Sequence, residues 1–248
     1  MEISKSEIKL INAIKTSHGR KKHGVFLVEG PKMIEELLQS NFDIKLLIAT
    51  DNWYLENNKI VNEPFARVVK SKDLERVSQL STANQVLAVV NSPMSNELHI
   101  PNDELILVLD TIQDPGNLGT IIRTADWFGI NTILCSKETT DAYSPKVVQS
   151  SMGSVFRKKI YYTELKTALS SNSHQLPIYG SLLQGENIYE LSLNKKGFIV
   201  IGNESKGISK EIQKLITQAI YIPQADNSKA ESLNASIATG IILSIFSK

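Results

Sequence analysis

With a single cysteine, Cys135, the chain has no internal disulfide and no thiolate metal cluster. That cysteine sits in an apolar run and is expected to be an inert core thiol. The four histidines, His18, His23, His99 and His174, are scattered without ligand spacing, which argues against a metal. No run of eighteen apolar residues exists, so no membrane span is expected, and the start Met1-Glu2-Ile3-Ser4-Lys5-Ser6-Glu7 lacks the apolar core of a signal peptide. The expectation is a cytoplasmic protein. There is also no charge excess: 27 basic against 26 acidic residues neither demands nor excludes nucleic acid. A Gly-x-Gly-x-x-Gly run after the first strand is missing, as are a Walker lysine loop and a Ser–His–acid set. A dinucleotide site is therefore weakly supported, and no internal repeat or low-complexity tract points elsewhere.

What is present is a pattern of alternating short elements. At 248 residues the chain is long enough for one large α/β domain or two smaller ones. Ser4-Lys5-Ser6-Glu7 forms a capping box, with Ile8, Ile11 and Ile14 at helical spacing behind it. Strands are expected at Val25–Val28, Lys45–Ala49 and Val86–Val90, with helices from Pro31 and from Ser71, the latter bearing Leu74, Val77 and Leu80. This is a compact α/β domain over residues 1–92. The polar, proline-flanked stretch 93–103 reads as a linker.

Beyond it, over 104–248, the pattern restarts with Leu105–Asp110, a continuous apolar strand of the kind buried on both faces. A helix is expected from about Leu118 to Phe128, strands at Thr132–Cys135, Ile178–Leu182, Phe198–Ile201 and Ala219–Ile222, and helices from Ser144, near Thr163, at Ser209–Thr217 and at Ser232–Phe246. Such alternation predicts a mostly parallel sheet with helices on both faces.

Three polar loops follow apolar strands in this second part. After Asp110, the run Pro115-Gly116-Asn117 is a turn in which Asn117 is placed to cap the next helix, and Arg123 lies one turn beyond Gly119 and Thr120. Taken alone, Arg123 reads as a surface residue paired with Asp126 at i+3; beside a glycine-opened helix it could also hold phosphate or ribose. After Ile201, Gly202 gives a ligand access to the strand end and Glu204 could hold a ribose hydroxyl or a cationic group. An ordinary turn with an exposed glutamate fits equally well. In the third loop Ser232 is expected as helix N-cap, Leu233 to point inward and Asn234 to offer a free amide. Far from these, Lys15, Arg20, Lys21 and Lys22 form an acid-free basic loop suited to phosphate contact, whereas Arg157-Lys158-Lys159 and Lys195-Lys196 read as solvated surface.

Taken together, Asn117 to Arg123, Ile199 to Gly207, and Ile222-Pro223 with Ser232-Leu233-Asn234-Ala235-Ser236 resemble the three motifs of the SpoU (TrmH-like) RNA 2′-O-ribose methyltransferases. The run Gly19 to Lys22 through Phe26 to Gly30 resembles the L30e-like substrate-binding domain attached in many members. The resemblance implies S-adenosylmethionine as methyl donor, a homodimer, and a deep trefoil knot in the C-terminal part of the catalytic domain, although true knots are nearly absent from proteins. It assigns Arg123, Asn117, Glu204, Ser232 and Asn234 to catalysis, Ser181, Leu182, Gly202, Ile222 and Leu233 to the cofactor, and Arg20, Lys21 and Lys22 to RNA. The family's usual Ile-Pro-Met-x-Gly is absent: Gln224 to Glu231 stand in its place and are about two residues longer, which implies a different cofactor loop. Ribosomal RNA, 23S above all, is the first expectation for substrate. Transfer RNA is the alternative, followed by a catalytically inactive RNA-binding relative.

Overall fold

A computed structural model describes residues 2–57, 64–80, 85–93, 97–172 and 174–247. It divides into two compact units, Met1–Asn96 with Tyr143–Phe156, and Glu97–Ala142 with Arg157–Lys248. The chain expected as a linker over 93–103 lies partly outside the described residues, at 94–96.

In the first unit, helix α1 (Lys5–Ile14) starts at the capping box: Ser4 Oγ accepts from the Glu7 amide, and Glu7 reaches back to the Ser4 amide. The stretch expected as a basic loop is instead a short helix, α2 (Ser17–His23), capped by Thr16 and ended by Gly24 at φ +61°. Strands β1 (Val25–Glu29), β2 (Ile44–Thr50), β3 (Ala66–Val69) and β4 (Val86–Asn91) form a sheet in the order β1-β4-β2-β3. β4 runs antiparallel to both neighbours, and β2 and β3 are parallel. Side chains alternate across it: Val25, Leu27, Leu87 and Val89 join Ile11 and Ile14 in the core on one face. Phe26, pointing to the other face, packs on Phe42, Tyr143 and Phe156. Helices α3 (Pro31–Leu38), α4 (Asp51–Glu56) and α5 (Ser71–Glu75) complete this part. The cap of α5 is Lys70 rather than Ser71, and the helix stops before Val77.

The second unit is built on a six-stranded, wholly parallel sheet in the order β10-β8-β9-β5-β6-β7. Its strands are β5 (Leu105–Leu109), β6 (Thr132–Cys135), β7 (Lys159–Tyr162), β8 (Ile178–Asn187), β9 (Gly197–Ile201) and β10 (Gln218–Tyr221). β5 and β9 are buried throughout, as a strand covered on both faces must be. Helices α6 (Pro115–Trp127), α8 (Leu165–Ser170), α9 (Lys210–Gln213) and α10 (Ala235–Phe246) flank it, while α7 (Pro145–Ser151), in the β6–β7 crossover, belongs to the first unit. After β5 the next strand lies on one side and β9 on the other. The chain order therefore switches direction at β5/β9, the place where open parallel sheets leave a crevice at their carboxyl ends. β8 pairs with β9 through Ile178–Gly180 and with β10 on either side of a shift that sets Ala219 against Gly180 and Ile220 against Glu186. Residues 181–185 stand out of register there. No helix among the described residues is long and apolar enough to cross a membrane.

Candidate functional site

β5 and β9 end in register, Leu109 opposite Ile201, so the loops that follow them leave the sheet side by side. Asp110 and Thr111 follow β5. Thr111 takes φ +63°, a left-handed backbone uncommon for a β-branched residue and costing on the order of 1–3 kcal/mol. It is held from both sides: its N–H donates to Ser136 Oγ at 3.1 Å, and its carbonyl accepts from Asn203 Nδ2 at 2.8 Å. Asp110, buried, accepts from Thr111 Oγ1 at 3.1 Å and from the Ser209 amide at 2.7 Å.

The loop after β9 closes on itself. Asn203 and Gly207 exchange backbone hydrogen bonds of 3.0 and 2.9 Å, and Asn203 Oδ1 accepts from the amides of Ser205 and Lys206, both at 3.0 Å. Gly207 supplies φ +69° at the turn. Gly202 is required here for a reason other than ligand access: a Cβ on it would lie 2.2 Å from Gly207 C and Ile208 N. The loop's own backbone takes that space. Asn203 was not among the expected site residues, yet an Asn opening a turn that closes on glycine is the sequence signal for this geometry.

Helix α6 starts earlier than expected. Asp114 is its N-cap, accepting from the Asn117 amide at 2.8 Å, with Pro115 at the first helical position. Asn117 is thus inside the first turn, and its side chain is free for another task. Its Nδ2 donates to Glu204 Oε1 at 2.9 Å, and its Oδ1 accepts from Asn234 Nδ2 at 2.9 Å. Asn234, not Ser232, is the N-cap of α10: its Oδ1 accepts from the amides of Ser236 and Ile237 at 2.9 and 3.3 Å and from Ser236 Oγ at 2.6 Å. The helix begins at Ala235 because the asparagine both leaves the helical conformation and satisfies its orphan amides. Ser232 is exposed and is not the cap of this helix, and Leu233 does not point inward but is 47 % exposed.

The polarity of this chain of contacts follows from chemistry alone. A carboxylate only accepts, so Asn117 must turn its NH₂ to Glu204 and its carbonyl oxygen to Asn234. Asn234 must then donate, which leaves its own oxygen for the helix amides that need an acceptor. One residue from each of the three loops is thereby joined into a single one-directional relay. Glu204 also accepts from Asn203 Nδ2 at 3.4 Å, and no cation pairs with it among the described residues.

Arg123 is exposed on α6, with no hydrogen bond or ion pair to its guanidinium among the described residues. The expected partner, Asp126, is engaged elsewhere: Arg157 Nε and Nη2 reach it at 2.9 and 2.8 Å, and Lys158 Nζ at 2.8 Å. Arg157 and Lys158, expected as solvated surface, thus have a structural role, and only 5 % of the Lys158 side chain is exposed. Ser181 and Leu182 are half-buried in the out-of-register part of β8, and Ile222 is half-buried just past β10. The long stretch after it is exposed and organised by Gln224, whose Nε2 donates to the carbonyls of Ser228 and Ala230 at 3.4 and 3.2 Å.

In the first unit, Arg20 is not available to a ligand. It is 6 % exposed, and its Nη1 donates to the carbonyls of Ile14 and Lys15, at 3.0 and 3.1 Å, at the end of α1. Lys21 and Lys22 are exposed beside it. Among the described residues no group of three or more His, Cys, Asp or Glu side chains could hold a metal ion.

A wholly parallel sheet with polar residues gathered at its switch point defines an α/β protein of the doubly wound class. Comparison with known proteins narrows the class. Residues 104–244 match the model of the SpoU rRNA Methylase family, and residues 5–88 match the MRM3-like substrate binding domain. The chain is 29 % identical over 231 residues to the 23S rRNA (guanosine(2553)-2′-O)-methyltransferase RlmP of Bacillus subtilis, covering 92 % of this chain and 90 % of that one. A TrmH-family chain from Porphyromonas gingivalis superimposes with a TM-score of 0.88 at 35 % identity, over 99 % of this chain and 98 % of that one. An AdoMet-bound rRNA methyltransferase from Sinorhizobium meliloti gives 0.87 at 28 %, over 99 % and 97 %. The chain belongs to the SpoU rRNA methylase family.

Proposed function

We propose that the protein transfers a methyl group from S-adenosylmethionine to a ribose 2′-hydroxyl of ribosomal RNA. The observation that carries this reading is the relay Glu204–Asn117–Asn234 at the strand-switch crevice, together with exposed Arg123, without a polar partner among the described residues, on the same helix as Asn117. RlmP and the Streptomyces viridochromogenes relative are both named as 23S rRNA 2′-O-methyltransferases, which favours 23S RNA as the substrate.

The residues present fit the methyl donor. Glu204 is a half-buried carboxylate without a cationic partner among the described residues, and exposed Leu233 offers apolar surface to a flat base. Ser181, Leu182, Gly202, Ile222 and Leu233 would hold the donor through backbone groups and apolar contact. When bound, S-adenosylmethionine supplies an electrophilic methyl group on a positively charged sulfur. The protein's part is alignment, because in-line displacement depends on holding the two reacting atoms on one axis. Arg123, whose guanidinium offers only donors, orients the phosphate and the 2′-hydroxyl, stabilising negative charge as it develops on that oxygen. The hydroxyl proton leaves late, to solvent. Glu204, Asn117 and Asn234 fix the floor of the site, and exposed Ser232 adds a hydroxyl at its rim.

Residues 1–92 serve as an RNA-binding domain joined through 93–103 to the catalytic part, 104–248. In the RNA-binding part Lys21 and Lys22 contact phosphate while Arg20 holds their helix in place. The C-terminal part carries a deep trefoil knot, a reading supported by the strand order, in which β8 lies between β9 and β10. The protein works as a homodimer in the cytoplasm, and Ile237 on α10, 55 % exposed, suits a subunit interface. The test is methyl transfer from labelled S-adenosylmethionine to unmodified 23S rRNA, with mapping of the modified ribose. Incorporation into a base, or none into RNA, refutes the proposal.

A further inference from the structure

Arg123 has an acid within easy reach and does not use it. Asp126 stands three residues on along α6, the spacing at which oppositely charged side chains on a helix pair. Its carboxylate is taken from the other side. Arg157 donates to Oδ2 through Nε at 2.9 Å and Nη2 at 2.8 Å, and Lys158 Nζ lies 2.8 Å from Oδ1, so both oxygens are engaged. The two cations are delivered there by the sheet. They directly precede β7, which pairs with β6 from Thr132 opposite Lys159, while the Lys159 amide donates to the Asn131 carbonyl in the short link between α6 and β6. The side chain of Asp126 is 20 % exposed and that of Lys158 is 5 % exposed, so this cluster is screened less than a pair on the open surface. An Arg123–Asp126 pair would be exposed on its cationic side, with the base N-terminal to the acid, the weaker orientation on a helix. The competition is therefore decided in favour of Arg157 and Lys158.

We infer that Arg157 and Lys158 are positioning residues for methyl transfer: by occupying Asp126 they keep the Arg123 guanidinium available to the RNA. The inference rests on the role proposed above for Arg123 and assigns to two residues outside the three loops the task of protecting it. A carboxylate released beside Arg123 would act twice, pairing with the guanidinium and opposing the negative charge that develops on the ribose oxygen.

The test uses full-length protein with a 23S rRNA transcript and S-adenosylmethionine. It compares wild type, the double variant Arg157→Ala with Lys158→Met, and a triple variant that adds Asp126→Ala. Methionine keeps an apolar stem in the space of the buried lysine. In the double variant kcat at saturating RNA is expected to fall about two- to fivefold, a partial loss because a helix-surface pair forms only part of the time. The rate at which phenylglyoxal modifies Arg123, followed by peptide mass, should fall by about half in the same variant. Removing Asp126 should restore both. Rates are read well below the melting temperatures of all three proteins, so a difference in stability does not enter them. An anchor for the end of α6 would give a different pattern, because the triple variant lacks the same ion pairs as the double. Wild-type kcat and Arg123 reactivity in the double variant, or losses that persist in the triple, would overturn the inference. Wild-type protein that methylates no RNA would instead remove the underlying reading, while the reactivity of Arg123 still decides the competition for Asp126.

Discussion

Asn234 does two jobs with one amide, and they can be separated. Its oxygen caps α10 and its NH₂ holds Asn117. Asn234→Ala loses both, so it should cost about 1 kcal/mol of stability along with activity. Asn234→Asp keeps an acceptor for the helix amides but sets a carboxylate against Asn117 Oδ1. It should unfold within about 0.5 kcal/mol of the wild type while methylation falls sharply. Denaturation midpoints and initial rates together decide this; equal losses of stability in the two variants would contradict the division of labour. Arg123→Ala is expected to lower methyl transfer at least about a hundredfold, the scale of removing one preorganised donor, with calorimetric affinity for S-adenosylmethionine near normal. Full turnover would refute the role given to Arg123. Cys135 is fully buried and its thiol is pushed far up by desolvation, so it should resist alkylation at pH 8 until the protein is unfolded, as intact mass would record.

Much of the site was legible at the level of motifs, and less of it at the level of atoms. The three loops sit at strand ends as their apolar lead-ins imply, and Asn117, Glu204 and Asn234 do meet. The caps were misassigned in two of them. Asp114-Pro115 is a stronger helix start than Asn117, and Asn234 wins over Ser232 because its side chain reaches the amides of both Ser236 and Ile237. Among elements, the core strands announce themselves by continuous apolar runs. Two of the edge strands do not: Ala66–Val69 and Lys159–Tyr162 are half-exposed and carry Arg67 and Lys159, so neither forms an apolar run. β8 extends past Leu182 through Gln184 and Glu186 only because β10 pairs with it, which local pattern cannot reveal. Burial of Arg20 was equally invisible, since a basic run does not say which of its members reaches back to a helix end.

At the element scale, the β9 loop stands on Gly202. A methyl group there would overlap the backbone of Gly207 and Ile208, so Gly202→Ala should cost roughly 1–3 kcal/mol and displace Glu204. Thermal melting and loss of activity would report both, and an unchanged melting temperature would contradict the packing. Helix α2 offers a contrast between neighbours. Arg20→Ala removes the donor bonded to two carbonyls and should destabilise the protein by about 1.5–3 kcal/mol. Lys21→Ala with Lys22→Ala should leave stability alone and reduce the slope of log affinity for RNA against log salt by about two.

For the whole molecule, the consequence lies in the segment Tyr143–Phe156, which the chain supplies from the β6–β7 crossover to the first unit. Phe26, with no exposed surface, rests on Tyr143 at 4.8 Å and on Phe156 at 6.5 Å between ring centres. The nascent N-terminal part therefore leaves the ribosome with an unfinished core. It must wait while about fifty further residues are made, and two strands of the second sheet emerge before its missing aromatic wall arrives. Synthesis of the two units is thus interleaved rather than sequential, and a nascent chain arrested between them should be a preferred client of chaperones that hold exposed apolar surface.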